Sequence, residues 1–209
     1  MKLFKALGLA AIAALAAMAF VGVGTASADT ACTSAEYENP CAAENEMEAG
    51  DPLVGELKEG KAVLKGPLAV ECSESTVEGE VTANGGEEVE GIITAVTFNS
   101  CTTCEKATSR AGAEFPVQVN FLSVSGGVQQ DEFNVHNPVV DLIGCTIFKV
   151  KCTATAKEVK LDMHSSPSQT SVVAKEEPLT LSGGLCGSGG TWTATYKLVE
   201  PPLVFVSET

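Results

Sequence analysis

The chain has 209 residues, eight of them cysteine, with 13 basic and 27 acidic side chains and a formal net charge of −14. A chain of this length makes one domain, or at most two small ones, and can bury a hydrophobic core. The acidic balance argues against nucleic acid as a partner, because binding a polyanion requires lysine and arginine to release its counterions.

The first 28 residues have the pattern of a cleavable secretory signal. Lys2 and Lys5 form a basic head, residues 6–23 carry no charge, and Ala26-Ser27-Ala28 supplies the small residues that a signal peptidase requires. We therefore predict a signal helix at 1–28, cleaved after Ala28, and a secreted protein with no membrane span. The alternative is an uncleaved anchor, since about eighteen apolar residues can just cross a bilayer.

An acidic segment follows the signal. Residues 29–60 carry nine acidic side chains, one lysine and few large apolar residues, which predicts a loop-like leader ahead of a β-sandwich domain at 61–209. Cys32 and Cys41 flank Asn39-Pro40 and are placed to clip this leader into a small loop. The fifteen acids between residues 36 and 90 favour solubility in our interpretation; recruitment of divalent cations or basic partners is the alternative.

From residue 62 onward, β-branched and aromatic runs separated by Gly, Pro, Asn and Ser are typical of strands and turns. Two stripes stand out because alternate apolar residues share one strand face: Trp192, Ala194, Tyr196 and Leu198, and Phe115, Val117, Val119 and Phe121. A one-residue phase shift at Leu122 and Val124 indicates a bulge. We predict eight to eleven strands, very little helix, and an all-β, disulfide-stapled antiparallel β-sandwich.

A Gly-rich turn at residues 84–86 predicts a hairpin. With Gly86-Glu87 at its tip, residues whose numbers sum to 173 face one another, which places Cys72 opposite Cys101. Cys104 is the near alternative partner. A kink around residues 73–75 is required to absorb a change of face between Cys72 and the strand that follows.

All eight cysteines follow the signal, and an even number in an oxidising compartment predicts up to four disulfides. The candidates are Cys32, Cys41, Cys72, Cys101, Cys104, Cys145, Cys152 and Cys186. If one strand joins Cys145 to Cys152, the two lie roughly 23 Å apart on opposite faces and each needs a partner elsewhere.

The Cys101-x-x-Cys104 spacing is the one motif with chemistry of its own. Such pairs are redox active when the first thiol begins a helix, but residues 105–112 are only a weak helix candidate. A zinc site would need a second paired ligand set, and the sequence has none. Structural disulfides are therefore our interpretation of these cysteines.

Other candidate ligands have an ordinary explanation as well. Several carboxylates could converge on calcium, but we interpret them as a solvated strand face; they are Glu78, Glu80, Glu87, Glu88 and Glu90. Trp192 and Tyr196 could stack on a sugar, although their alternation with threonine favours core packing. His136 and His164 are isolated in the sequence, as expected of surface or edge residues.

The segment 184–206 resembles the C-terminal signature of a group of secreted β-rich proteins of soil actinobacteria that has no known activity. The shared features are Cys186, the Trp192-x-Ala194-x-Tyr196 stripe and a Pro-Leu pair before the last apolar strand. Cys72, residues 91–98 and Cys101 have a similar layout. The resemblance implies an extracellular β-sandwich and brings no catalytic residue.

No common catalytic signature occurs in the sequence, so we predict no catalytic residue, cofactor or metal site. The favoured hypothesis is a non-enzymatic secreted or envelope-associated protein that is structural or binds an extracellular or envelope partner. The alternatives are a calcium- or carbohydrate-binding module and a secreted thiol-disulfide oxidoreductase using Cys101 and Cys104.

Overall fold

The structure is a computed structural model that describes residues 28–34 and 39–208. The predicted signal lies outside the described residues except for Ala28. The described residues form fourteen strands and no helix: β1 (Asp29–Cys32), β2 (Pro52–Leu57), β3 (Ala62–Lys65), β4 (Val70–Ala83), β5 (Val89–Cys101), β6 (Lys106–Ser109), β7 (Phe115–Ser125), β8 (Val128–His136), β9 (Val139–Cys145), β10 (Val150–Thr155), β11 (Glu158–Ser166), β12 (Gln169–Ser182), β13 (Gly190–Glu200) and β14 (Phe205–Glu208).

The predicted all-β, disulfide-stapled antiparallel sandwich is confirmed, with more strands than the eight to eleven expected. Twelve of them form one sheet, and every pairing in it is antiparallel. Residues 105–112, only a weak helix candidate, form no helix, because β6 lies within them and pairs with both β5 and β9.

The sheet closes on itself twice. At one end the ring runs β4, β5, β7, β8, β11, β12, β13 and β2, and back to β4. At the other it runs β4, β5, β6, β9, β10, β12, β13 and β3, and back to β4. Two eight-membered rings therefore share four long strands, β4, β5, β12 and β13, and enclose one apolar core.

The β4–β5 hairpin has the predicted register. Cys72 faces Cys101 and Val77 faces Val96. The residue numbers of each pair from Ser75 to Glu78 have the sum that the predicted hairpin requires. The predicted kink is present as well, since Ser73 and Glu74 are both exposed between the buried Cys72 and Ser75. On the opposite strand Ser100 has a positive φ of 53°, so both strands depart from regular geometry at this point.

The structure also tests the predicted bulge in β7 and the path of the chain from Cys145 to Cys152. The bulge in β7 is confirmed by a register shift between Phe121 and Ser123, beyond which Leu122 and Val124 are exposed. Cys145 and Cys152 do not share one strand, because β9 ends at the first and a tight turn leads into β10 before the second. The chain reverses there on positive-φ residues at Thr146 and Lys149.

The segment 29–60 differs from the loop-like leader that its acidic composition predicted. It contributes β1 and β2, and β2 lies between β13 and β4 in the closed sheet. Ala31, Cys32 and Met47 are buried. Leu53 and Leu57 of β2 are partly buried and pack against the core. Within the described residues there is no helix with the length and hydrophobicity to span a membrane.

Gly79 is needed where β4 passes between β2 and β5. It pairs with Leu53 and Ile93, and a Cβ at this position would overlap the backbone carbonyl oxygen of Ile92. We expect Gly79→Ala to lower the free energy of unfolding by about 2 kcal/mol, because backbone has to move to relieve the overlap. The measurement is urea denaturation with the disulfides intact.

Gly55→Ala is the matched control. Gly55 lies in the adjacent β2, and a Cβ there would have its nearest contact at 3.7 Å, with the Lys197 carbonyl oxygen. We expect its unfolding free energy to stay within about 0.5 kcal/mol of the wild type. Equal midpoints for the two variants would contradict the close approach at Gly79.

Candidate functional site

The closed sheet encloses an apolar cavity of about 190 Å³. All fourteen strands contribute residues to its wall, among them Val96, Phe115, Leu161 and Met163. A closed sheet of eight strands has an interior that side chains can fill or that can hold one small ligand. A cavity of about 150 Å³ lined by Leu, Ile and Phe stays dry and binds benzene or xenon. The volume and lining therefore suit a small apolar molecule.

Trp192 and Tyr196 bring the polar atoms of β13 to this wall. The Tyr196 hydroxyl lies 2.8 Å from Ser75 Oγ, which donates to the Thr97 carbonyl oxygen at 2.9 Å. Burial raises the pKa of Tyr196, so its hydroxyl stays neutral. Trp192 Nε1 is buried and has no hydrogen-bond partner among the described residues. A residue that lines the cavity therefore carries a buried donor without an acceptor among the described residues.

β1 and β14 form a cap, residues 29–32 and 205–208, over one end of the cavity. They form a two-stranded sheet of their own, and Asp29 and Cys32 make further single bridges to Gly86 and Glu46. Ala31 and Val206 line the cavity. Side chains of the main sheet hold the chain around β14. Thr170 Oγ1 accepts the Val204 N–H at 2.9 Å, and Ser165 Oγ donates to the Val204 carbonyl oxygen at 2.6 Å. The cap is thus attached by side-chain hydrogen bonds at β14 and by backbone hydrogen bonds of Asp29 with Gly85 and Gly86 at β1.

Gln129 adds a second attachment to the cap. Its Oε1 accepts the Val206 N–H at 3.3 Å, and its Nε2 donates to the Val206 carbonyl oxygen. The same Nε2 donates to Asp131 Oδ1 at 2.9 Å. Both side chains are about 1% exposed. A buried amide and a buried carboxyl therefore act together under the cap.

Asp131 is the most perturbed acid of this region. Burial raises the pKa of its carboxyl, the Gln129 hydrogen bond lowers it and the neighbouring Asp29 carboxylate raises it, and the pKa that results is about 7. Its Oδ2 has no hydrogen-bond partner among the described residues. The signal for this site in the sequence is alternation, since residues 129 and 131 share the strand face of Phe133 and Val135.

The eight candidate cysteines form four disulfides. Cys32–Cys41 clips the segment behind the cap, as predicted, and Cys72–Cys101 joins the hairpin strands, as the register predicted. The other two are Cys104–Cys145 and Cys152–Cys186. These last two and the hairpin disulfide lie at the end opposite the cap. Four disulfides fit a protein of an oxidising, extracellular compartment.

The redox motif is not assembled as a pair. Cys101 bonds to Cys72 and Cys104 bonds to Cys145, so the two motif cysteines are each committed to a different strand. Both lie around the end of β5 and not at a helix N-terminus, where the dipole would acidify a thiol. The geometry of a thiol-disulfide oxidoreductase is therefore missing at this position.

Asp141 has a structural role near that end. It contacts Arg110 at 3.1 Å and Lys151 at 2.9 Å, and Thr153 Oγ1 donates to it at 2.9 Å. The Arg110 and Lys151 side chains hold the pKa of Asp141 well below its usual range. This network ties β6, β9 and β10 together.

The calcium and sugar alternatives gain no support from the geometry. Among residues 28–34 and 39–208, no group of three or more His, Cys, Asp or Glu side chains is placed to hold a metal. Glu78 and Glu80 are exposed on β4, as a solvated face would be. Trp192 and Tyr196 line the interior, with ring centroids 6.1 Å apart, and are not on an outer face where a glycan would stack.

Comparisons with protein-family models, curated proteins and solved structures find no match. A β-sandwich can host many unrelated functions, and the site decides among them. The features of this chain that bear on function are the cavity, the unpaired Trp192 donor and the cap.

Asp131 predicts a specific pH dependence. Its folded pKa of about 7 lies above the ordinary 3.8, so the folded state keeps a proton that the unfolded state releases between those values. Stability should fall as the pH rises through this window and stay low above it. We expect Asp131→Asn to be more stable than the wild type at pH 8 by roughly 1 to 3 kcal/mol, and about equal to it at pH 4.

Urea denaturation at pH 4, 6 and 8 measures this difference. Asp162→Asn is the control, because Asp162 is exposed and pairs with Lys175 at the surface. We expect that variant to follow the wild-type pH profile. If Asp131→Asn also follows the wild-type profile, the buried Asp131 carboxyl is not responsible for the change of unfolding free energy with pH.

Proposed function

We propose that this protein is a secreted, non-enzymatic binding protein that holds a small apolar molecule inside its closed sheet. The observation that carries the proposal is the cavity of about 190 Å³ with its apolar wall. The predicted signal at 1–28 and the four disulfides support an extracellular place of action. The resemblance to secreted actinobacterial proteins stays a prediction, and agrees with this place of action.

The class of ligand follows from Trp192. A buried N–H without an acceptor costs free energy, which a ligand recovers if it brings an oxygen to that donor. The Tyr196 hydroxyl and Ser75 Oγ are hydrogen-bonded to each other, so neither requires a hydrogen-bond partner from the ligand. The proposed ligand is therefore a compact apolar molecule with one hydrogen-bond acceptor, such as an aryl or short-chain alkyl ketone.

Direct titration tests the proposal. Trp192 is the only tryptophan of the chain and lines the cavity, so its fluorescence reports directly on occupancy. We expect benzene and acetophenone each to shift its emission saturably, and to raise the melting temperature of the protein. If neither ligand changes the emission or the melting temperature, the proposal of a ligand-binding interior is refuted.

Trp192→Phe tests the class of ligand. It removes the donor while keeping an aromatic ring, so we expect acetophenone to bind about fivefold more weakly and benzene to keep its affinity, as the loss of one hydrogen bond of ~1 kcal/mol implies. Isothermal titration calorimetry provides the measurement. Tyr196→Phe is the matched control, because its hydroxyl is already paired, and it should leave the ratio of the two affinities unchanged. If benzene and acetophenone lose affinity equally in Trp192→Phe, the proposed hydrogen bond from Trp192 to an acceptor on the ligand is contradicted.

A further inference from the structure

The end opposite the cap carries a cluster of exposed apolar side chains. Six large apolar residues are exposed among the described residues, and four of them lie at this end. Their exposed fractions are 88% for Ile147, 69% for Phe148, 62% for Leu185 and 40% for Ile143. We call these four residues the apolar tip. Single exposed apolar residues are ordinary, but a cluster at one end marks an interaction surface.

The tip is held rigidly. Ile147 and Phe148 occupy the turn between β9 and β10, where the Lys149 N–H donates to the Thr146 carbonyl oxygen at 3.2 Å. The Thr146 N–H donates to the Thr103 carbonyl oxygen at 2.9 Å, which fixes the turn to the neighbouring loop. A preorganised surface loses little conformational entropy when it binds.

Two disulfides flank the tip and complete it. Cys104–Cys145 anchors the strand that enters the turn. Cys152–Cys186 anchors the strand that leaves it, and brings Leu185 beside that strand. The three most exposed large apolar residues of the described chain are therefore presented at one end that two disulfides brace.

The charge around the tip differs in sign from that of the chain. Residues 101–110, 139–155 and 182–190 carry four basic side chains, Lys106, Arg110, Lys149 and Lys151, against two carboxylates, Glu105 and Asp141. This end thus has a formal charge of +2 in a chain of −14. Lys149 pairs with Glu105, and Arg110 and Lys151 both pair with Asp141. The four basic side chains exceed the two carboxylates by two charges, and this net positive charge can act on a partner.

We propose that the apolar tip docks on an anionic lipid bilayer. Ile147, Phe148 and Leu185 would enter the boundary between headgroups and acyl chains, where apolar area is removed from water. The basic side chains around them would stay at the level of the lipid phosphates, with lysine stems extended toward the headgroups. Charge complementarity favours an anionic surface over a zwitterionic one. This inference does not depend on the ligand proposed for the cavity.

Vesicle sedimentation with the full secreted chain tests the docking. We expect the wild type to bind vesicles of phosphatidylglycerol and phosphatidylcholine, to bind pure phosphatidylcholine weakly, and to be released as ionic strength rises. The double variant Ile147→Ser, Phe148→Ser should bind at least about tenfold more weakly, because two inserted side chains are lost. Both positions are exposed, so the fold should persist, as circular dichroism and the melting temperature would verify.

Leu122→Ser, Val124→Ser is the matched control, since it removes two exposed apolar side chains from β7, outside the tip. It should bind vesicles as the wild type does. Docking is overturned if the tip variant binds as well as the wild type, or if the wild type ignores anionic vesicles. It is also overturned if wild type alone self-associates in ultracentrifugation without binding lipid, since the tip would then be an interface between copies of this chain.

Discussion

Closure of the sheet is the constraint on which the rest of the structure depends. An open sheet of twelve strands would expose two edges with unpaired N–H and C=O groups. Here the long strands β4, β5, β12 and β13 each change neighbours along their length, so both ends close into rings. Because both rings share these four strands, one interior runs through them. The cavity follows from that geometry, since the wall holds its shape without side chains filling the centre.

Glycine at the crowded crossings makes this closure sterically feasible. Gly79 and Gly91 both lie in the β4–β5 pair, where a Cβ would come too close to a backbone carbonyl oxygen of the partner strand. Gly190 has the same role where β13 passes β3, with the Lys65 carbonyl oxygen close by. Close backbone approach is one of the few reasons for glycine inside a strand.

The sequence predicts the local features well, because these depend on neighbours in the chain. The signs of strand alternation, the register of the hairpin from Cys72 to Cys101 and the bulge after Phe121 could all be derived from spacing alone. Closure of the sheet could not be derived from spacing, since it depends on which distant strands meet. The pairing of β10 with β12, for example, is not indicated by the sequence of either strand. The same limit applies to Cys104–Cys145 and Cys152–Cys186, whose partners are set by the topology.

The candidate site was harder to predict for a different reason. An apolar residue has the same alternation whether it fills a core or lines a cavity, so Trp192 and Tyr196 could be placed inside but the space beside them could not be seen. Asp131 was missed because an acid on an otherwise apolar face is readable only when the strand bounds are known. The leader was misjudged because its composition is acidic although its few apolar residues, such as Ala31 and Met47, are buried.

The two ends of the cavity are held by different forces. Cys72–Cys101, Cys104–Cys145 and Cys152–Cys186 lock one end with three disulfides. The cap has one disulfide, Cys32–Cys41, which joins it to the following loop. Its attachment to the main sheet depends on backbone hydrogen bonds of Asp29 and on side-chain hydrogen bonds from Gln129, Ser165 and Thr170. Local opening occurs where the fewest strong interactions have to break. We therefore expect the interior to open at the lowest free-energy cost through the cap. Ionisation of Asp131 lowers that cost further, since it places an unpaired charge beneath the strand that closes the cavity.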